Sequence, residues 1–119
     1  MSGAARQEMG AIAERLNASP AARHLMEAFA RVIGLDIAGE TPFFVRIEEG
    51  WMHIHDGVPN DPDLIVEIAA AGRFVEVLRG AVDVTHPIAE GVIILRRGRV
   101  SEMILLNRIF AAGQKRSAP

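Results

Sequence analysis

Three histidines are the side chains in this sequence best placed for reactive chemistry. His53 and His55 stand two apart in Trp51-Met52-His53-Ile54-His55, so on an extended strand both rings leave the same face. That is the geometry of two metal ligands or of an acid–base pair, with a third group to come from Glu48, Glu67 or His86. The same pair is better explained as solvated or cross-strand neighbours on an exposed sheet face. His86 precedes Pro87 in a linker, where it meets a polar ligand group or is simply an exposed loop histidine; His24 belongs to a helix surface. The carboxylate pairs Glu48-Glu49 and Asp61-Asp63 fall in turns and read as turn chemistry. Ser2, Ser19, Ser101 and Ser117 are the serines, and Ser19 and Ser101 are better explained as helix caps than as nucleophiles. The chain has no nucleophile elbow, phosphate-binding loop or dinucleotide-binding glycine pattern. Without cysteine it has no disulfide framework, thiolate chemistry or cysteine-based metal site. The expectation is a binding protein with no cofactor and no metal. A small enzyme using His53, His55 or His86 stands as the alternative from a different class.

Composition narrows the field further. At 119 residues, half of them apolar, the chain makes one domain with one core. A net charge of -2, with no basic stripe interleaved with aromatics, excludes a polyanion partner, so no nucleic acid is expected. The segment Met1 to Leu16 carries Arg6, Glu8, Glu14 and Arg15 and lacks the apolar run of a signal peptide. No segment reaches the ~20 apolar residues of a membrane span, and a cytoplasmic protein is expected.

The apolar spacing predicts the elements that position these groups. Residues 1–31 read as two short helices, the first with Met9, Ile12, Ala13 and Leu16 on one face, the second started by Ser19-Pro20 and running to about Arg31. Leu25, Met26, Phe29 and Val32 form its stripe. Residues 32–98 hold the strands: Ile33, Leu35 and Ile37 in the first, then a hairpin of Phe43–Glu48 and Trp51–Asp56 joined at Glu49-Gly50. That turn sets Glu48 opposite Trp51, Arg46 opposite His53 and Phe44 opposite His55. Phe43, Val45, Ile47, Met52 and Ile54 then share the core face. A fourth strand spans Leu64 to Ala69, a helix spans Ala70 to Arg79 and ends at Gly80, and a fifth strand spans Gly91 to Arg97. Ser101 caps a last helix, residues 101–112, and residues 113–119 are a polar tail. The sum is α+β, a five-stranded sheet with helices packed on one face.

Three segments carry a family resemblance: Asp63-Leu64-Ile65-Val66-Glu67-Ile68, Phe74-Val75-Glu76-Val77-Leu78-Arg79-Gly80, and Gly91-Val92-Ile93-Ile94-Leu95. An aspartate-led strand, a Phe-x-x-x-Leu-x-Gly helix and a glycine-led strand eleven residues after the first glycine resemble the sterol carrier protein family, type two. Pro87-Ile88 stands where that family usually carries Ala-Phe. The resemblance implies a single lipid-binding domain whose apolar cavity, between sheet and helices, takes a sterol, fatty acyl chain, isoprenoid or similar molecule. The lining residues it suggests are Phe29, Ile33, Leu35, Val45, Ile54, Phe74, Leu78, Ile88, Ile93, Leu95, Met103, Leu106 and Phe110, each of which is also ordinary packed core. The last helix would act as a lid. Some bacterial domains of this type serve isoprenoid-quinone synthesis, which makes an accessory factor presenting a prenylated intermediate to partner enzymes a further reading. Any membrane contact would be transient, at the lid, when cargo is exchanged.

The opposite sheet face is expected to show Phe44, Trp51, Ile65, Val92 and Ile94. A contiguous apolar patch of that kind marks a contact surface, for a homodimer or a partner enzyme, unless the N-terminal helix folds back to cover it.

Overall fold

The alternation of Phe43, Val45 and Ile47 with polar neighbours produces the expected hairpin, and with it the register of the whole sheet. The computed structural model describes residues 3–114. Its elements run α1 (Ala4–Asn17), α2 (Pro20–Glu27), β1 (Arg31–Ile37), β2 (Phe43–Glu48), β3 (Trp51–Asp56), β4 (Leu64–Ile68), α3 (Ala71–Leu78), α4 (Thr85–Ala89), β5 (Ile93–Arg97) and α5 (Val100–Ala112). Glu49 and Gly50 both take positive φ, 52° and 79°, so the two-residue turn has the twist that suits a tight hairpin. Phe44 pairs with His55, Arg46 with His53 and Glu48 with Trp51, as the turn requires.

The sheet order is β3-β2-β1-β4-β5. β1 runs parallel to β4 and every other neighbouring pair is antiparallel. The inward-facing residues of all five strands join Met9, Ile12, Leu16, Met26, Phe74, Leu106 and Phe110 in one core, so the helices lie on one face. No polar or charged side chain among the described residues is buried in it. β3 is an edge strand, and its backbone is covered in an unusual way. The Asn17 amide, at the end of α1, accepts from the Met52 N–H and donates to the Met52 carbonyl, both at 2.9 Å. The side chain thus does at one residue what a sixth strand would do.

Several boundaries differ from the sequence expectation. α2 stops at Glu27 rather than near Arg31, because Val32 enters the sheet opposite Arg46 and its N–H donates to the Asp63 carboxylate at 2.8 Å. Leu25, placed on the buried stripe of that helix, is exposed. The linker between Gly80 and Gly91 is not a plain loop but holds the short α4, started by Asp83, whose carboxylate accepts from both the N–H and the hydroxyl of Thr85. α5 begins at Val100, so Ser101 lies within its first turn and caps nothing; Glu102 reaches back to accept the Arg99 N–H at 2.9 Å. Gly80 does end α3 as expected. It takes φ 79°, its N–H donates to Val77 and the next N–H, of Ala81, donates to Glu76, satisfying two carbonyls of the last turn. Of the expected polar tail, everything beyond Gln114 lies outside the described residues.

Candidate functional site

Strand alternation turns Ile33, Leu35 and Val45 toward the helices, and helical spacing turns Met103, Leu106 and Phe110 of α5 toward the strands. These six side chains meet Phe74 of α3 and Met9 of α1 in a seam between the sheet and the helices. Every group in it is apolar. The seam is closed: the aromatic rings and the two methionine chains fill it, leaving a cavity volume of about 0 Å³. The packing is that of an ordinary interior.

Seven of the residues named from the sequence therefore come together: Ile33, Leu35, Val45, Phe74, Met103, Leu106 and Phe110. Phe29, Leu78 and Ile93 are buried in the core away from the seam, and Ile54, Ile88 and Leu95 are half-buried at its margin. Met9 was absent from the expected set. Its signal was its place on the same apolar face as Ile12 and Leu16, but nothing in the sequence says which turn of α1 crosses the sheet.

Polar contacts hold α5 over the seam at both ends. At its start the Arg31 Nε donates to Glu102 at 3.0 Å. That guanidinium, with the Arg99 N–H, holds the Glu102 carboxyl below the usual glutamate range. At its end the Arg15 guanidinium donates to the Gly113 carbonyl, and the Gln114 amide donates to the carbonyls of Val77 and Leu78 at 3.2 and 3.1 Å. Gly113 is pressed so close to α1 that an added Cβ would lie 2.7 Å from Leu16. The outward side of α5 is not polar either: Ile104 is 41 % and Leu105 45 % exposed. An apolar surface on both sides of one helix is unusual for a surface element. Leu105 and Arg108 border a shallow groove of about 240 Å³ against Leu25, Ala28 and Phe29.

The opposite face of the sheet holds the histidines. The His55 ring stacks on Phe44 with centroids 5.1 Å apart, and His53 lies 6.5 Å from His55. Arg46 and Glu48 border the same open surface, whereas Glu67 is paired with Arg96 at 2.8 Å and His86 sits on α4. Among the described residues no three His, Cys, Asp or Glu side chains come together as a metal cage. The apolar patch expected on this face is broken up. Only Trp51 and Ile94 are exposed, at 39 % and 37 %; Trp51 lies beneath the Arg23 guanidinium, 3.6 Å from the ring centre, and Ile94 sits beside the Glu67–Arg96 pair. The cover over the centre comes from the loop 57–62, whose Pro59 packs on Gly34, and not from the N-terminal helix. Among the described residues no helix is long and apolar enough to cross a membrane.

Solved structures share this fold. The sterol carrier protein domain 2 of Helicoverpa armigera matches with a TM-score of 0.72 at 17 % identity, over 94 % of this chain and 91 % of that one. Sterol carrier protein 2 from Yarrowia lipolytica matches at 0.68 and 13 % identity, over 90 % and 89 %. UbiJ-SCP2, a ubiquinone synthesis protein, matches at 0.68 and 17 % identity, over 86 % and 84 %. The chain has the sterol carrier protein 2 fold, as the spacing of its C-terminal half implied. No family model matches the sequence, and no curated protein matches it significantly.

Proposed function

We propose that this protein is a non-enzymatic carrier of an apolar small molecule of the sterol, fatty acyl or isoprenoid type, held between the sheet and α5. The observation that carries this reading is the seam itself, an uninterrupted apolar contact between two strands and three helices at the place where the fold separates sheet from lid. Each Å² of apolar ligand surface transferred there from water contributes ~25 cal/mol. Because the closed seam is full, uptake requires α5 to lift. Lifting exposes Met103, Leu106, Ile109 and Phe110, a cost the ligand must offset with its own apolar surface; the polar contacts that resist it are few and partly exposed, the Arg31–Glu102 pair at one end and Arg15 and Gln114 at the other. Ile104 and Leu105 already face outward, and this apolar face suits a brief contact with a membrane when cargo changes hands.

The test is native mass spectrometry of the purified protein, followed by organic extraction of whatever is released. A co-purifying apolar molecule is expected. Leu106→Asp places a carboxylate in the middle of the seam and is expected to abolish loading; a folded Leu106→Asp protein that still carries the molecule would remove the seam from consideration.

A second reading is favoured by the fold shared with UbiJ-SCP2: an accessory factor in isoprenoid-quinone synthesis that presents a prenylated intermediate to a partner enzyme. It predicts an isoprenoid in the extract and an association weakened by Trp51→Ala, since Trp51 is the large aromatic exposed on the outer face. A self-associated dimer through that face predicts a mass twice that of the chain, sensitive to the same substitution.

A further inference from the structure

Of the thirteen residues of α5, only Glu102 and Arg108 are charged. Met103, Leu106, Ile109 and Phe110 are buried, yet Val100, Ile104 and Leu105 on the outward side are exposed. A helix that is apolar all round is normally enclosed all round, and this one is enclosed on one side. Val100, Ile104 and Arg108 follow one another at four-residue steps and form a single row along it. Leu25 of α2, also exposed, shares a shallow groove with Leu105 and Arg108. Four of the seven exposed large apolar side chains among the described residues therefore gather in one area, which marks a contact surface.

Charge says what kind of surface it meets. Residues 1–90 hold seven arginines against fourteen Asp and Glu, whereas residues 91–119 hold six Lys and Arg against Glu102 alone. A chain of net charge -2 thus carries a net charge of +5 in the segment that contains α5. Arg99 stands exposed at the start of the helix and Arg108 on its outward row, and Lys115 and Arg116 follow its end in sequence. The carboxylates nearby are turned elsewhere. Glu102 pairs with Arg31 at 3.0 Å, and Glu27 of α2 lies against the hairpin turn, its Cγ 3.0 Å from where a Cβ on Gly50 would be. Arg96 and Arg97 engage Glu67 and Asp61 and add to the field rather than to the face.

We propose that the outward face of α5, with Leu25 beside it, docks onto an anionic lipid bilayer. Val100, Ile104 and Leu105 enter the headgroup boundary, and Arg99 and Arg108 pair with the acidic lipids around them. An apolar contact or a basic patch alone attaches a protein only marginally; the two together hold it reversibly. The same surface repels the acidic remainder of the chain, so the molecule lands with α5 toward the membrane. A second copy of the chain fits this face less well. Four apolar side chains, none more than half exposed, fall short of the about 800 Å² per partner of a standard protein interface. Pairing two copies here would also set two strongly positive segments together. The assignment rests on the carrier reading for its purpose, bringing the lid to the membrane that supplies or receives the cargo.

Co-flotation of the intact protein with vesicles tests it. Binding is expected to vesicles of equal parts phosphatidylcholine and phosphatidylglycerol, and about tenfold or more weaker binding to phosphatidylcholine alone. Salt at about 1 M, where charges are screened within ~3 Å, is expected to remove the difference. Arg108→Gln is expected to weaken binding about fivefold, for one cation lost near the surface. The double variant Ile104→Ser, Leu105→Ser is expected to lose about tenfold or more. Val58→Ser removes an exposed apolar side chain from the opposite side of the sheet and is expected to change nothing. All these side chains are exposed, and unchanged unfolding midpoints would confirm that the variants fold. Equal binding to both kinds of vesicle, a folded double variant that floats as well as the parent, or an equal loss in Val58→Ser overturns the proposal. So does a doubled mass without vesicles that Leu105→Ser abolishes, which assigns the face to a second copy. Docking is read by flotation and carrying by extraction, so the two fail separately. Protein that carries an apolar molecule but does not dock overturns the docking alone; protein that docks but never carries upholds it and removes the carrier reading.

Discussion

Phe74→Ala separates a seam that merely packs from one that opens. Phe74 is 1 % exposed and borders the seam opposite Leu106 and Phe110. Truncating a buried Phe to Ala costs about 3–5 kcal/mol, part of it for the cavity left behind. A 119-residue domain holds roughly 6–18 kcal/mol in total, so the variant still folds in most of that range. The truncation also opens room in advance that a ligand must otherwise create by moving α5. A probe that enters the room recovers stability by mass action, about 2.7 kcal/mol at a hundredfold excess over its dissociation constant. The assay is urea unfolding of parent and variant, each with and without hexadecanoic acid below its micellar concentration. The expected result is a loss of about 3–5 kcal/mol in the variant, with recovery by the fatty acid larger in the variant than in the parent. A full loss with no recovery in either protein refutes the argument that this seam is where an apolar chain goes. A loss under about 1 kcal/mol refutes the packing on which the argument rests.

Other outcomes follow from contacts outside the seam. Glu102 is held below the usual glutamate range by Arg31 and the Arg99 N–H, so its folded pKa is lower than its unfolded one. Its contribution is therefore complete above the ordinary glutamate range and is lost as pH falls through the depressed folded value. Glu102→Gln is expected to flatten the acid limb of a stability–pH curve and to cost about 1 kcal/mol at neutral pH, given that the pair is partly exposed; an unchanged acid limb would assign that limb to other carboxylates. Asn17→Ala removes both hydrogen bonds to the Met52 backbone and is expected to cost about 1–3 kcal/mol and to raise amide exchange along β3 first, read by hydrogen exchange; uniform exchange changes would count against edge protection.

Much of this protein was legible in local sequence because local physics decides it. Glu49-Gly50 fixes the hairpin turn, and the turn fixes which of Phe44, Arg46, His53 and His55 face each other. The alternation of Phe43, Val45 and Ile47 then fixes which face is core. Gly80 ends α3 for a reason internal to the last turn of that helix. The missed boundaries are those where a distant partner won: Val32 left the helical pattern because β2 and Asp63 offered it a strand, and Ser101 lost its capping role to Glu102, which also pairs with Arg31 from the far end of the chain. Periodicity could nominate apolar residues for the seam but could not rank them. Whether Met9 or Phe29 reaches the gap depends on where each helix crosses the sheet, a long-range packing matter with no local code. The cover over the outer sheet face was invisible for the same reason. It exists because a glycine in β1 leaves room for a proline-bearing loop to settle on the sheet, and only the folded chain sets those two side by side.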